Sequence, residues 1–113
     1  MTICRKDAAA VLPLGASAFQ ILLSLAEGER HGYSVAKAIE SATNGATRLR
    51  PGSLYRLLKQ MAADDWVVES ESDDRRRYYR LTPWGRKIAQ AEAQRLQGLV
   101  RRASQHRAGA LPG

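Results

Sequence analysis

Apolar residues in the first part of the chain recur at the spacing of buried helices. The run Phe19–Ala26 is apolar almost all round, which predicts a first helix buried on most sides and ended by Gly28. Ser17 and Gln20 stand three residues apart, the spacing of a capping box, so we expect this helix to open at Ser17.

A second helix is predicted over about Tyr33–Ala42, because its apolar residues share one face and its charged residues the other. It follows a turn at His31 and Gly32, whose histidine is interpreted as a structural turn residue. Gly45 is a candidate for the left-handed position at the helix end. The short segment Ala46–Leu49 could add an edge strand.

A third helix is predicted over about Pro51–Ala63, since proline suits the first helical position, where an N–H would be unpaired. Its apolar stripe consists of Leu54, Leu57, Leu58 and Met61. At about 100° per residue, the opposite face carries Gly52, Arg56, Lys59 and Ala63. This outer face is narrow and carries two cations.

The period of the pattern then changes from helix to strand. Trp66–Ser72 and Arg77–Leu81 are rich in Trp, Val and Tyr, and a polar turn, Asp73–Arg76, joins them. Such residues pair well across antiparallel strands, so the pattern predicts a β-hairpin.

A fourth helix begins at Thr82 and Pro83, a capping hydroxyl followed by proline, and continues to about Ala103. Its length of about 33 Å exceeds what so small a domain can cover. A second copy of the helix is the simplest cover for its apolar side. The predicted dimer interface is Ile88, Glu92, Leu96, Leu99, Val100 and Ala103.

The element order predicts a mostly α protein with a small antiparallel β-hairpin, a winged helix-turn-helix with a long C-terminal dimerisation helix. We expect residues 1–81 to form the winged helix-turn-helix domain, with a flexible arm at 1–12. Residues 82–105 would form the dimerisation helix and 106–113 a disordered tail.

Charge narrows the possible partners. The chain has 18 Lys and Arg against 11 Asp and Glu, a formal net charge of +7, which favours nucleic acid or an anionic membrane surface. The longest uncharged apolar stretch, Ala8–Leu25, is too broken by polar residues, Pro13 and Gly15 to span a membrane. Cys4 is the only cysteine, which excludes an intrachain disulfide and a zinc-finger framework. We expect a cytoplasmic protein with no membrane partner.

The outer face of the third helix predicts contact with double-stranded DNA, since a helix of this kind fits the major groove. Arg56 can read guanine or grip phosphate, and Lys59 suits phosphate. Alternate strand residues face opposite ways, so the three arginines at the hairpin turn cannot all face one ligand. Arg75 and Arg76 at the tip are best placed to straddle a DNA backbone or enter a minor groove. The predicted DNA-binding residues are Ser34, Lys37, Gly52, Ser53, Tyr55, Arg56, Lys59, Arg75, Arg76 and Arg77.

Three motifs together resemble the PadR family of transcriptional regulators: His31-Gly32-Tyr33, then Pro51-Gly52-Ser53-Leu54-Tyr55, then the run from Arg75 to Gly85. The resemblance implies a dimeric winged helix with the third helix in the major groove. It also implies repression of a nearby operon, often relieved by a small phenolic or cationic effector, whose site here is unknown.

The chain also departs from the family pattern. Arg56 stands where many relatives have proline, and Asp73 and Asp74 replace glycines at the wing tip. Leu96 stands where drug-sensing relatives present an aromatic residue, which argues against an aromatic sandwich.

Other function classes fit the sequence less well. Two distant histidines and one cysteine offer no catalytic constellation, metal-ligand spacing or cofactor loop, so an enzyme is not expected. The main alternative is a winged-helix protein-interaction or ligand-sensing module without DNA binding. Double-stranded RNA is a weaker alternative, because its narrow major groove excludes a helix.

Overall fold

The computed structural model describes residues 7–71 and 76–106. A short 3-10 helix, Ala8–Val11, comes first. The elements that follow are α1 (Ala16–Ala26), β1 (Arg30–His31), α2 (Gly32–Ala42), α3 (Pro51–Ala63), β2 (Val67–Glu71), β3 (Arg77–Leu81) and α4 (Pro83–Gln105). The predicted fold class, four helices with a small antiparallel sheet in a winged helix-turn-helix, is confirmed.

The start of α1 differs from the prediction. Gly15, with extended dihedral angles, is the N-cap, and no side chain caps the helix. Phe19 N–H donates to the Gly15 carbonyl at 3.0 Å, so helical bonding starts before Ser17. Ser17 lies inside the first turn, and the predicted capping box does not form.

The sheet has a third strand, but not at the predicted place. Arg30 and His31 form β1, which pairs with β3 in antiparallel register opposite Tyr79 and Tyr78. The sheet order is β1-β3-β2. Ala46–Leu49 forms no strand.

Gly45 has the predicted left-handed conformation, with φ 81°, and Asn44 before it has φ 53°. The Gly45 N–H donates to the Glu40 carbonyl at 2.8 Å, which closes the end of α2. The chain therefore leaves α2 in a fixed direction before α3 begins.

A single hydrophobic core lies between the helices and one side of the sheet. Its fully buried side chains include Ile21 and Leu22 of α1, Ile39 of α2, Leu58 of α3 and Ile88 of α4. Because α3 packs by its apolar stripe, its opposite face is left at the surface, as the period predicts.

The start of α4 is joined tightly to the start of the hairpin. Thr82 N–H donates to the Trp66 carbonyl at 3.0 Å, and the Thr82 hydroxyl donates to the Asp65 carbonyl at 2.6 Å. The same hydroxyl oxygen accepts the Gly85 N–H at 2.9 Å, which caps α4 as predicted. A side chain at Gly85 would collide with the Trp66 carbonyl, so only glycine permits this approach.

The first turns of α4 belong to the core, which corrects two interface predictions. Ile88 and Glu92 are 0% and 2% exposed within the single chain. Glu92 accepts hydrogen bonds from Arg95 at 2.6 Å and from the Leu14 N–H at 3.2 Å. Neither side chain is left for a second copy, so both are removed from the predicted interface.

The predicted arm and tail are only partly described. Residues 8–11 form the short 3-10 helix, which packs on α4. Residues 1–6 and 107–113, and the turn at 72–75 with Arg75, lie outside the described residues. Across the residues that are described, no helix combines the length and apolarity needed to cross a membrane.

Candidate nucleic-acid interface

The outer face of α3 is exposed as the sequence predicts. Gly52, Arg56, Lys59 and Ala63 all lie at the surface, opposite the buried Leu54, Leu58 and Met61. Ser53 is half-buried beside them. Pro51 begins the helix, and the first turn carries no acidic side chain. The face therefore combines two long cationic side chains with a first turn free of negative charge.

Tyr55 connects α3 to the start of α2. Its ring lies so close to Gly32 that a Cβ there would stand 2.6 Å from Tyr55 Cε1. Gly32 therefore allows the tyrosine to lie on the α2 backbone, and Tyr55 remains 45% exposed. The contact fixes the position of α3 relative to α2.

The two predicted contacts on α2 have different surroundings. Lys37 is exposed, and its Nζ lies 5.7 Å from the centre of the Tyr33 ring, a cation–π geometry. Ser34 is half-buried, and its hydroxyl oxygen lies 3.4 Å from Arg30 Nη1. Lys37 is therefore the more accessible of the two.

Arg77 lies on β3 and forms an ion pair across the hairpin of β2 and β3, which is the wing of the fold. Its Nη1 lies 2.7 Å from Glu69 Oε2, which also accepts the Tyr79 hydroxyl proton at 3.1 Å. The hydrogen bond from Arg77 lowers the pKa of Glu69. Burial, with the bond to Glu69, raises the pKa of Tyr79 to about 12. The charge of Arg77 is thus partly offset within the wing, although its side chain is exposed.

Arg76 is exposed and approaches the start of α2, with its Nη1 3.2 Å from His31 Nε2. The cleft between the wing, α2 and α3 has a volume of about 640 Å³. Its lining residues are His31, Gly32, Tyr33, Tyr55, Arg76 and Arg77. Three of the predicted DNA contacts, Tyr55 on α3 and Arg76 and Arg77 on the hairpin, therefore line one concave surface.

His31 and Tyr33 were not among the predicted contacts, although the cleft is built around them. Tyr33 is 63% exposed, a large aromatic ring at the surface next to two arginines. The His-Gly-Tyr motif was the available signal, because a glycine between two rings indicates a close approach of another element.

A second surface lies on the other side of the chain, where α1 faces α4. Leu99 and Val100 are 43% and 65% exposed, and Leu23 of α1 is 41% exposed. A shallow groove of about 530 Å³ between these helices is lined by Phe19, Ala93, Leu96, Gln97, Val100 and Arg101. Of the predicted interface residues, Leu96 is half-buried and Leu99, Val100 and Ala103 are exposed, and Phe19 and Leu23 extend the surface they form.

Comparison with known proteins identifies the family. The model of the transcriptional regulator PadR-like family matches residues 21–91, well over half of the chain. A 37.1 kDa protein in a transposon of Streptomyces fradiae is 41% identical over 83 residues, which are 71% of this chain and 24% of that protein. A protein of Lysinibacillus sphaericus is 29% identical over 70 residues, which are 58% of this chain and 64% of that protein. The match thus spans about a quarter of the length of the first relative and under two thirds of the length of the second.

Solved structures share the fold. A PadR family transcription regulator from Clostridium difficile superposes with a TM-score of 0.71 at 24% identity, over 80% of this chain and 97% of that one. A transcriptional regulator from Thermoplasma acidophilum gives 0.64 at 28% identity, over 79% and 87%. PadR of Bacillus subtilis in complex with operator DNA gives 0.64 at 18% identity, over 70% and 47%.

Proposed function

Because this chain belongs to the PadR-like family of transcriptional regulators, we propose that it binds operator DNA sequence-specifically as a homodimer and represses transcription. The observation that carries the proposal is the exposed face of α3, with Arg56 and Lys59 pointing away from the core beside the arginines of the wing. The complex of Bacillus subtilis PadR with operator DNA supports the choice of ligand by analogy of fold.

The proposed roles of the α3 residues follow from their position. An exposed helix with small residues in its first turn can enter a major groove about 12 Å wide. Arg56, in the second turn, offers a bidentate fork to guanine, while Lys59 one turn further suits phosphate. The N–H groups of Gly52 and Ser53 would face the phosphates of the DNA backbone, and Tyr55 would lie at the edge of this contact.

The β2–β3 hairpin and α2 would contact the DNA backbone on either side of α3. Arg76 and Arg77 lie at one edge of the cleft and Lys37 on the exposed side of α2. Ser34 and Arg75 complete the proposed contacts. Phosphate contacts of this kind set the position of the protein on the duplex and carry no sequence information.

The α1–α4 surface supports a homodimer. The stripe that is buried in the first half of α4 continues in the second half as the half-buried Leu96 and the exposed Leu99, Val100 and Ala103. A second copy of the same surface would cover it by two-fold symmetry. The pair of α3 helices would then meet successive major grooves about 34–36 Å apart.

The proposed function is tested by binding of the purified protein to a duplex from the promoter of its own gene. We expect Arg56→Ala to weaken binding by about 1–3 kcal/mol and to relax the preference at one base position. Lys59→Ala should weaken binding to all sequences equally and reduce the salt slope by about 0.9. Lys87→Ala on α4 is the matched control, an exposed cation away from α3.

Two results would overturn the proposal. A wild-type protein that binds no duplex, or that binds with no dependence on salt, favours a protein-interaction or ligand-sensing module. An Arg56→Ala variant that keeps the full preference for the operator sequence would show that Arg56 does not contact a base.

We also propose that a small aromatic or cationic effector relieves repression. A cavity of about 230 Å³ behind α3 is lined partly by Leu57, Met61, Asp64 and Trp66, and its size suits a single aromatic ring. Ligand bound there would press on the helix that carries Arg56. Quenching of Trp fluorescence by a phenolic acid or an aromatic amine, lost on Met61→Phe, is the expected result; no change with either ligand would contradict it.

A further inference from the structure

The segment that connects α2 to α3, residues 46–50, presents two arginines to solvent. Its residues alternate between two environments: Ala46, Arg48 and Arg50 are exposed, whereas Thr47 and Leu49 are half-buried. Such alternation is typical of an extended chain that packs by one side against the protein. Arg48 and Arg50 therefore lie on the same outward side of this α2–α3 segment.

The backbone of the segment is held at both ends. Thr43 Oγ1 accepts the Thr47 N–H at 3.0 Å, and Leu49 packs against the hydrophobic core. At the other end, the Arg50 carbonyl accepts the Leu54 N–H at 2.9 Å, and Arg50 is the N-cap of α3. Because the backbone below both arginines is fixed, only their side chains have to be ordered when they bind a ligand.

Little negative charge offsets the two guanidinium groups. Among the described residues, none forms a hydrogen bond or an ion pair with the side chain of Arg50. Arg48 Nε lies 3.7 Å from Glu40 Oε2, and the Arg48 side chain is 73% exposed. An exposed ion pair of this length contributes little free energy, so Arg48 can exchange it for a phosphate, which binds a guanidinium more strongly.

The two arginines extend the surface that is proposed to bind DNA. Arg48 and Lys37, an exposed cation of α2, line one open concave surface of about 460 Å³. Arg50 directly precedes α3 and stands two residues before Gly52, which is exposed at the start of that helix. With α3 in a major groove, the strand that borders the groove would pass the α2–α3 segment.

We propose that Arg48 and Arg50 bind neighbouring phosphates of one DNA strand beside the groove that α3 enters. The proposal rests on the proposed DNA binding and adds to it a contact outside both α3 and the wing. Residues two apart on an extended chain are separated by about 6.6 Å, so their long side chains reach adjacent phosphates. These contacts fix the position of α3 along the duplex and carry no sequence preference.

The test compares the salt dependence of binding to the promoter duplex and to an unrelated duplex. Arg48→Gln and Arg50→Gln should each reduce the slope of log affinity against log salt by about 0.9, and the double variant by about 1.8. Each single variant should bind both duplexes about tenfold more weakly, so the preference for the promoter stays unchanged. Arg86→Gln, which removes an exposed arginine from the first turn of α4, is the matched control and should change neither quantity. Urea unfolding of all variants should match the wild type, because these side chains are exposed.

Glu40 provides a variant that should bind DNA more tightly. Glu40→Gln releases Arg48 from its ion pair, so we expect the affinity for both duplexes to rise about threefold. In the Arg48→Gln background the same change should raise the affinity by less than about 1.5-fold, because there is no guanidinium to release. An equal gain in both backgrounds would show that Glu40 acts through its charge alone and would overturn the contact of Arg48.

Ethylation of single phosphates in the promoter duplex locates the contact. We expect ethylation of two neighbouring phosphates of one strand to weaken binding of the wild type and to leave binding of the double variant unchanged. The same interference pattern in both proteins, or an unchanged salt slope in a double variant that still binds DNA, would overturn this contact and leave the proposed function standing. A wild-type protein that binds no duplex would remove the proposed function and this contact together.

Discussion

Glu92 is a carboxylate placed where the helical pattern calls for an apolar residue. It is 2% exposed and bonded to both Arg95 and the Leu14 N–H. The hydrogen bonds from Arg95 lower its pKa below the ordinary 4.5. The unfolded chain therefore binds this proton more readily, so the stabilisation is full above the unfolded pKa and is lost as the pH falls through the folded one.

We expect Glu92→Gln to lower the free energy of unfolding at pH 7 by about 1–3 kcal/mol, because Arg95 loses a charged partner. The difference from the wild type should close as the pH drops below 4.5. Urea unfolding at a series of pH values measures it, and Glu71→Gln, an exposed carboxylate on β2, is the control. A difference that stays constant down to pH 3 would contradict the role of the charge.

At the scale of the elements, the wing is the hairpin of β2 and β3, whose strands are joined by a cluster of side chains as well as by their backbone hydrogen bonds. Glu69 on β2 accepts from Arg77 and Tyr79 on β3. Burial is the largest cause of the raised pKa of Tyr79, and the bond to Glu69 is the next.

Glu69→Gln should therefore lower the pKa of Tyr79 from about 12, without bringing it to the ordinary value, since the ring stays buried. NMR titration of the tyrosine ring carbons in the alkaline range measures the shift. Glu71→Gln, which removes a carboxylate from the same strand, should leave Tyr79 unchanged. Equal shifts in both variants would mean that general charge, rather than the bond, sets the pKa.

Elements long enough to show a hydrophobic period were predictable from the sequence. Elements that form only because a distant segment pairs with them were not. The stripe of Leu54, Leu58 and Met61 with Pro51 at the start predicts α3 to the residue. The two-residue strand β1 has no period of its own and exists because Tyr78 and Tyr79 lie beside it.

The candidate site shows the same division. Exposure of Arg56 and Lys59 follows from the helical period alone, so it was predictable. The cleft was not, because the approach of Arg76 to His31 spans 45 residues of sequence and depends on how the wing folds back. Glu92 has the right face for an interface, but the pattern does not say whether α1 or a second chain covers that face.

At the scale of the whole molecule, the proposed homodimer depends on the exposed α1–α4 surface. We expect Leu99→Asp to make the protein monomeric, because association would bury an unpaired charge. It should also weaken operator binding, since two linked α3 helices bind far more tightly than one. Sedimentation and gel shift measure the two effects.

Gln94→Asp is the matched control, because Gln94 is exposed on the opposite side of α4 and receives the same charge. It should stay dimeric and bind as the wild type does. A Leu99→Asp protein that sediments as a dimer would show that another surface joins the copies.

The joint between Thr82, Gly85 and the Trp66 carbonyl has a mechanical consequence. Because the backbones approach so closely there, we expect the start of β2 and the first turn of α4 to move together. A tilt of about 5° acting over the helix length of about 34 Å displaces its far end by about 3 Å. In the proposed dimer, a change in the crossing angle of the two α4 helices would therefore move both hairpins, and spin labels on the hairpins of a Gly85→Ala protein should report a wider spread of separations.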